Sequence, residues 1–169
     1  MNKVFEIYLQ YVSNKRIQIY FFIFLNIFGL VFIFLPHQIF VNMVDLKLSY
    51  NSQDVFQAFD NMGEKGRSLH IYSSLVLDTI IPILYVSLVL GAYVKLFSKE
   101  ISYIYIIPIL AGLFDIGENI QSVIMNHNYT NLSENQVFIA SSFTLIKFFF
   151  LSLMISILIF GIFKKKIKR

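Results

Sequence analysis

Four apolar stretches, each long enough to cross a bilayer, take up most of this 169-residue chain. A helix needs about 20 predominantly apolar residues to span the hydrocarbon. Because nothing in hydrocarbon can pair an exposed N–H or C=O, such stretches fold as helices. They run from about Ile17 to Leu35, Ile71 to Phe97, Ile101 to Ile120 and Ile139 to Phe163. The expected fold class is therefore all-α: one integral membrane domain over residues 1–169, built as a four-helix bundle. The composition agrees, with 57% hydrophobic and only 14% charged residues, where a soluble domain carries about 25% charged. The first stretch reads as a retained helix. Its basic flank, Lys15 and Arg16, follows a long leader, and Pro36-His37-Gln38 offers no small-residue cleavage site.

Lysine and arginine set the expected orientation. Lys3, Lys15 and Arg16 precede the first span, Lys95 and Lys99 lie between spans two and three, and Lys164, Lys165, Lys166, Lys168 and Arg169 form the tail. The opposite side holds only Lys47, Lys65 and Arg67. The positive-inside rule then puts both termini in the cytoplasm. The net charge of +4 comes from that tail and reads as an anchor beside anionic headgroups; no nucleic-acid partner is expected. Absence of cysteine excludes disulfides and thiolate metal sites, no metal site is expected, and nothing in the sequence names a cofactor.

Two segments face outward on this reading: the loop of residues 36–70, and Gln121 to Phe138. In the first, Val55, Phe56, Phe59 and Met62 recur at helical spacing opposite Asp54, Gln57, Asp60 and Glu64. That pattern predicts a short amphipathic outer helix between spans one and two, resting at the interface or capping the bundle. Met62-Gly63-Glu64-Lys65-Gly66-Arg67 is expected to turn the chain into span two. Val4 to Val12 is also amphipathic. His37, His70 and His127 lie outside the spans and read as surface residues.

Charged groups inside the apolar stretches are the clue to function. Asp78 lies in span two, Asp115 and Glu118 in span three, and Lys147 in span four. A charge at membrane depth costs roughly 2.5–3.5 kcal/mol on insertion scales, so such groups face a bundle interior or a wet cavity. At 1.5 Å per residue Asp78 is about 10 Å and Lys147 about 12 Å from the outer end of its span, and Asp115 and Glu118 fall at a similar level. Asp115, Glu118 and Asn119 share one helix face by i, i+3, i+4 spacing. Ser141, Thr144 and Lys147 share another, and Ser74 precedes Asp78 by one turn. The expected site is a polar pocket among these three helices, open outward, formed by Ser74, Asp78, Asp115, Glu118, Asn119, Ser141, Thr144 and Lys147. Three carboxylates against one lysine favour a bound cation, a retained proton or an amine-bearing ligand; the structural alternative is an ion pair that fixes helix register. Pro82 removes the donor that Asp78's carbonyl would otherwise receive, opening the helix at that point.

The segments Gly63-x-x-Gly66-Arg67-x-x-x-x-Tyr72, Leu77-Asp78-x-x-x-Pro82-x-x-Tyr85, Leu113-Phe114-Asp115-x-x-Glu118-Asn119 and Ala140-Ser141-x-Phe143-Thr144-x-x-Lys147 resemble a group of uncharacterised small bacterial four-helix membrane proteins. The resemblance covers about residues 55–150; it implies the fold and a role for these polar positions, without an activity, and the expected location is a bacterial inner membrane. The topology, with an acid followed by Pro and Tyr in span two, also resembles the emopamil-binding and sigma-2-receptor-like family, whose members bind sterols or cationic amphiphiles. The chain differs in having no Trp and no histidine among the expected pocket residues. The expected partners are membrane lipids and a small lipid-like or cationic amphipathic ligand, with Asp78, Asp115 and Lys147 as candidates for proton-transfer chemistry. The competing readings are a proton or cation transporter component and an accessory or assembly subunit of a membrane complex. The sequence identifies no protein partner and leaves open whether the chain is an enzyme.

Overall fold

A computed structural model describes residues 3–97 and 103–167 of the protein. The expected start of span three at Ile101, and Lys99, Lys168 and Arg169 of the charge count, lie outside the described residues. Among the described residues every regular element is helical: α1 (Lys3–Val12), α2 (Lys15–Ile33), α3 (His37–Phe40), α4 (Ser52–Leu96), α5 (Ile106–His127) and α6 (Glu134–Ile167), with single 3-10 turns at Val44–Leu46 and Tyr129–Asn131. Of these, α2, α4, α5 and α6 are long and apolar enough to cross a membrane.

α4, α5 and α6 pack against one another, while α2 lies at the periphery against α4. The amphipathic leader α1 also packs on α4, burying Leu9 and Val12, with Tyr8 Oη and Ser87 Oγ 2.7 Å apart. Gln18 holds the α1–α2 corner in place: its Nε2 donates to Val12 O at 2.6 Å and to Leu88 O at 3.1 Å. At this terminal end Lys165 Nζ donates to Lys95 O at 3.1 Å. The opposite end is closed by residues 36–62 and is called here the cap end.

The amphipathic helix predicted between spans one and two is present, and it caps one end of the bundle. It forms the first part of α4, starting in a capping box: Asn51 Oδ1 accepts from Asp54 N and Asp54 Oδ2 from Asn51 N, both at 3.0 Å. Lys47 Nζ bonds Asp54 Oδ1 at 2.8 Å, and this contact, with Asn51's N–H, holds the Asp54 carboxyl below the usual range. Val55, Ala58, Phe59 and Met62 are buried against Val44, Tyr50, Met125, Val137 and Ala140. Phe56 departs from the expected core face; it is half exposed and stacks on Tyr129 with ring centroids 5.1 Å apart.

The turn into span two is sharper than the sequence suggests. Gly63 alone breaks the helix, at φ 64° and ψ 175°, a conformation essentially confined to glycine. Glu64 to Arg67 are already helical beyond it. Arg67 secures the corner: its Nη1 donates to Phe59 O at 3.1 Å, and its guanidinium sits 4.3 Å from the Tyr129 ring centroid. Tyr129 in turn donates to Asp60 Oδ1 at 2.9 Å.

A second apolar cluster, with Leu9, Val12, Leu90, Tyr93, Tyr105, Ala111 and Met154, fills the terminal half of the bundle. Between the two clusters lies a layer of buried polar side chains.

Candidate functional site

α5 supplies the central face of this layer. Asp115, Glu118, Asn119, Ser122 and Asn126 follow a three-to-four residue period and form one stripe. The helix runs to His127, seven residues past the expected end of span three, because the stripe continues: Ser122 and Asn126 are both buried. Asn126 Nδ2 donates to Arg67 O at 3.1 Å and lies 3.2 Å from His70 Nδ1. An amide nitrogen only donates, so Nδ1 accepts and the imidazole proton sits on Nε2. His70 is therefore not a surface residue. It is 1% exposed, because α4 resumes straight after Gly63 and turns His70, with Ser73 and Ser74, towards α5. His37 and His127 are exposed as expected.

Glu118 and Lys147 form the heart of the layer. The Glu118 side chain is 1% exposed and that of Lys147 9%. Lys147 pairs with Glu118 Oε2, and Thr144 Oγ1 donates to Glu118 Oε1. Asp115 completes the set, with Oδ1 3.7 Å from Lys147 Nζ and Oδ2 accepting from Tyr85 Oη at 3.0 Å. Towards the cap, the Thr144 and Tyr50 hydroxyls are 3.4 Å apart, and Tyr50 N donates to Ser141 Oγ at 3.1 Å. A continuous file of polar contacts thus runs Tyr50, Thr144, Glu118, Lys147, Asp115, Tyr85. Burial pushes the titration of the Tyr50 hydroxyl well above its ordinary range, with the negative charges of Glu118 and Asp45 adding to the effect. Tyr50 therefore stays a hydroxyl at any ordinary pH.

Of the expected site residues, Asp115, Glu118, Thr144 and Lys147 meet directly. Asn119 contributes through the backbone, its Nδ2 donating to Asp78 O at 2.7 Å. Ser74 is buried without a hydrogen bond from its hydroxyl among the described residues. No hydrogen bond reaches the Asp78 carboxylate among the described residues either. Sequence reasoning missed Asp45, in the 3-10 turn under the cap. Asp45 Oδ1 is buried without a hydrogen-bond partner among the described residues. Two acids, Asp115 and Glu118, stand within 4 Å of the one buried lysine among the described residues. No cluster of three or more His, Cys, Asp or Glu residues among the described residues has metal-binding geometry.

Directly above this layer, at the cap end, lies an open cavity of about 860 Å³. Ser49 to Gln53 form one wall; Glu134, Asn135, Val137, Phe138, Ser141, Ser142 and Leu145 of α6 form the other. Its lining is mixed: Glu134 and Asn135 stand at the first turn of α6, and the exposed Phe138 and Leu145 alternate down the helix with Ser141 and Ser142. Tyr50 and Ser141 belong to both the cavity and the polar layer, so the expected pocket resolves into a buried network and a separate open cleft that share these two residues.

Comparison of the chain with protein-family models, curated proteins and solved structures found no match.

Proposed function

We propose that the protein binds a cationic amphipathic molecule in the cleft between Tyr50 and the first turns of α6. The carrying observation is the amphipathic lining with a single charge: Glu134 stands among neutral donors and acceptors, and the exposed Phe138 and Leu145 offer apolar surface further along α6. A cationic headgroup beside Glu134 would also feel Asp115 and Glu118 of the layer beneath, two acids that the single charge of Lys147 only partly offsets. Its chain would lie along α6, where the membrane removes it from water. The tail, leader and α4–α5 link carry most of the lysine and arginine, which supports cytoplasmic termini and a cleft opening into the outer leaflet of a bacterial inner membrane.

The test is thermal unfolding in a neutral detergent with dodecyl-chain additives bearing trimethylammonium, zwitterionic or sulfate heads. The cationic additive is expected to raise the midpoint selectively. Glu134→Gln should remove the selectivity, and Ser142→Phe, which fills the cleft, should remove the rise itself. Equal response to all three heads would overturn the reading.

A second reading, proton transfer to the bound molecule, is favoured by the place of Tyr50 in both the cleft and the file of polar contacts to Glu118. It would appear as solvent deuterium entering the bound molecule at carbon, lost in Tyr50→Phe.

A further inference from the structure

We infer that α2 pairs with α2 of a second copy of this chain through Asn26. The helix buries one face only: the half-buried Phe21, Leu25, Phe28 and Phe32 form the stripe turned to α4. Asn26 lies about 130° around the helix from the middle of that stripe at 100° per residue, and it is exposed. It follows Lys15 by eleven residues, so it sits roughly 16 Å along the helix, near the middle of a hydrocarbon layer about 30 Å thick.

An amide at that depth is costly unless its polar atoms are paired. Asn26 Nδ2 donates to Phe22 O at 2.7 Å, a carbonyl already committed to the helix ladder. Oδ1 has no partner among the described residues, and neither water nor a headgroup resides at the midplane. The missing partner is a donor held at the same depth. A carboxamide carries donor and acceptor together, so two copies related by a two-fold axis satisfy each other: each Oδ1 accepts from the other's Nδ2. Gly29, one turn on and on the same side, has open space where a Cβ would stand, so the two backbones can approach closely there. Phe22 and Ile33 are 58% and 71% exposed and extend the stripe to either side.

The absence of cysteine makes the test direct. Single cysteines are placed in the full chain as Phe22→Cys and Ile33→Cys on the Asn26 face, and as Phe24→Cys on another exposed face. Oxidative cross-linking is then measured in native membranes at low expression. Covalent dimer is expected from the first two and at least tenfold less from Phe24→Cys. Adding Asn26→Leu to Ile33→Cys should cut the yield about threefold to tenfold, the range that loss of an interhelical polar pair gives in membranes, and Asn26→Gln should restore it. Equal cross-linking on both faces, insensitivity to Asn26→Leu, or a product with a different protein in place of the covalent dimer would each overturn the inference.

Discussion

The side-chain amide of Asn119 donates to the main-chain carbonyl of Asp78 across the α4–α5 interface, at 2.7 Å. This carbonyl is the one that Pro82 leaves without its helical donor. A gap in the hydrogen-bond ladder of one helix is thus filled by a side chain from its neighbour, which pins the level of Asp78 against Asp115 and Glu118. Asn119→Leu should cost about 1–3 kcal/mol, the penalty for an unpaired buried acceptor. Pro82→Ala restores an N–H to α4 and should recover most of that loss in the double variant. Unfolding in detergent measures both; a double variant as unstable as Asn119→Leu alone would contradict the relation.

Lys147 offsets more than one acid. Removing it leaves Glu118 and Asp115 buried without a cation, and Lys147→Met should destabilise by about 3–5 kcal/mol, the usual cost of breaking a buried pair from one side. Glu118→Gln removes one of the stranded charges and should return part of the stability in the double variant. Strictly additive losses in the same denaturation series would show that the two groups do not interact.

The cap depends on Gly63. No atom lies within 4 Å of a Cβ built there, so Gly63→Ala meets no clash, only the forbidden backbone region. The expected cost is about 1–3 kcal/mol, concentrated on the cap. Amide exchange should rise over residues 55–62 while the terminal-half core, around Leu90 and Tyr93, keeps its protection. Unchanged exchange at the cap would contradict this.

Acid should open the same cap. Asp54 is held below its ordinary carboxylate range by Lys47 first and then by the Asn51 N–H. A depressed carboxyl contributes stability that is present above its unfolded value, about 3.9, and is lost as pH falls through the lower folded value. Lys47→Met removes the larger cause, so the acid limb of cap opening should move to higher pH. Exchange over residues 52–62 between pH 2.5 and 6 reads the shift; coincident profiles would contradict the assignment.

The spans and the central stripe are legible in the sequence because both rest on periodicity. Length and hydropathy mark the four helices, and the i, i+3, i+4 spacing of Asp115, Glu118 and Asn119 puts them on one face. The same spacing continues through Ser122 and Asn126, and reading it past Ile120 would have extended α5 to its observed end. Asp45 and Tyr50 carry no such signal. They lie in irregular chain that passes beneath a capping helix, and only the Gly63 break, a single-residue event, brings that helix over the bundle. His70 was hidden for the same reason: its burial depends on where α4 resumes, which neither hydropathy nor charge marks. The cleft is a product of tertiary assembly, joining residues some ninety positions apart, as the Tyr50–Ser141 hydrogen bond illustrates.

The most direct test of the account is native mass spectrometry of the protein released gently from its own membrane, with chemical identification of whatever remains bound. One stoichiometric amphiphile with a cationic head is expected, retained by the unaltered chain and lost from Glu134→Gln and Ser142→Phe. A protein that emerges empty, or holds an anionic lipid indifferent to both substitutions, would contradict it.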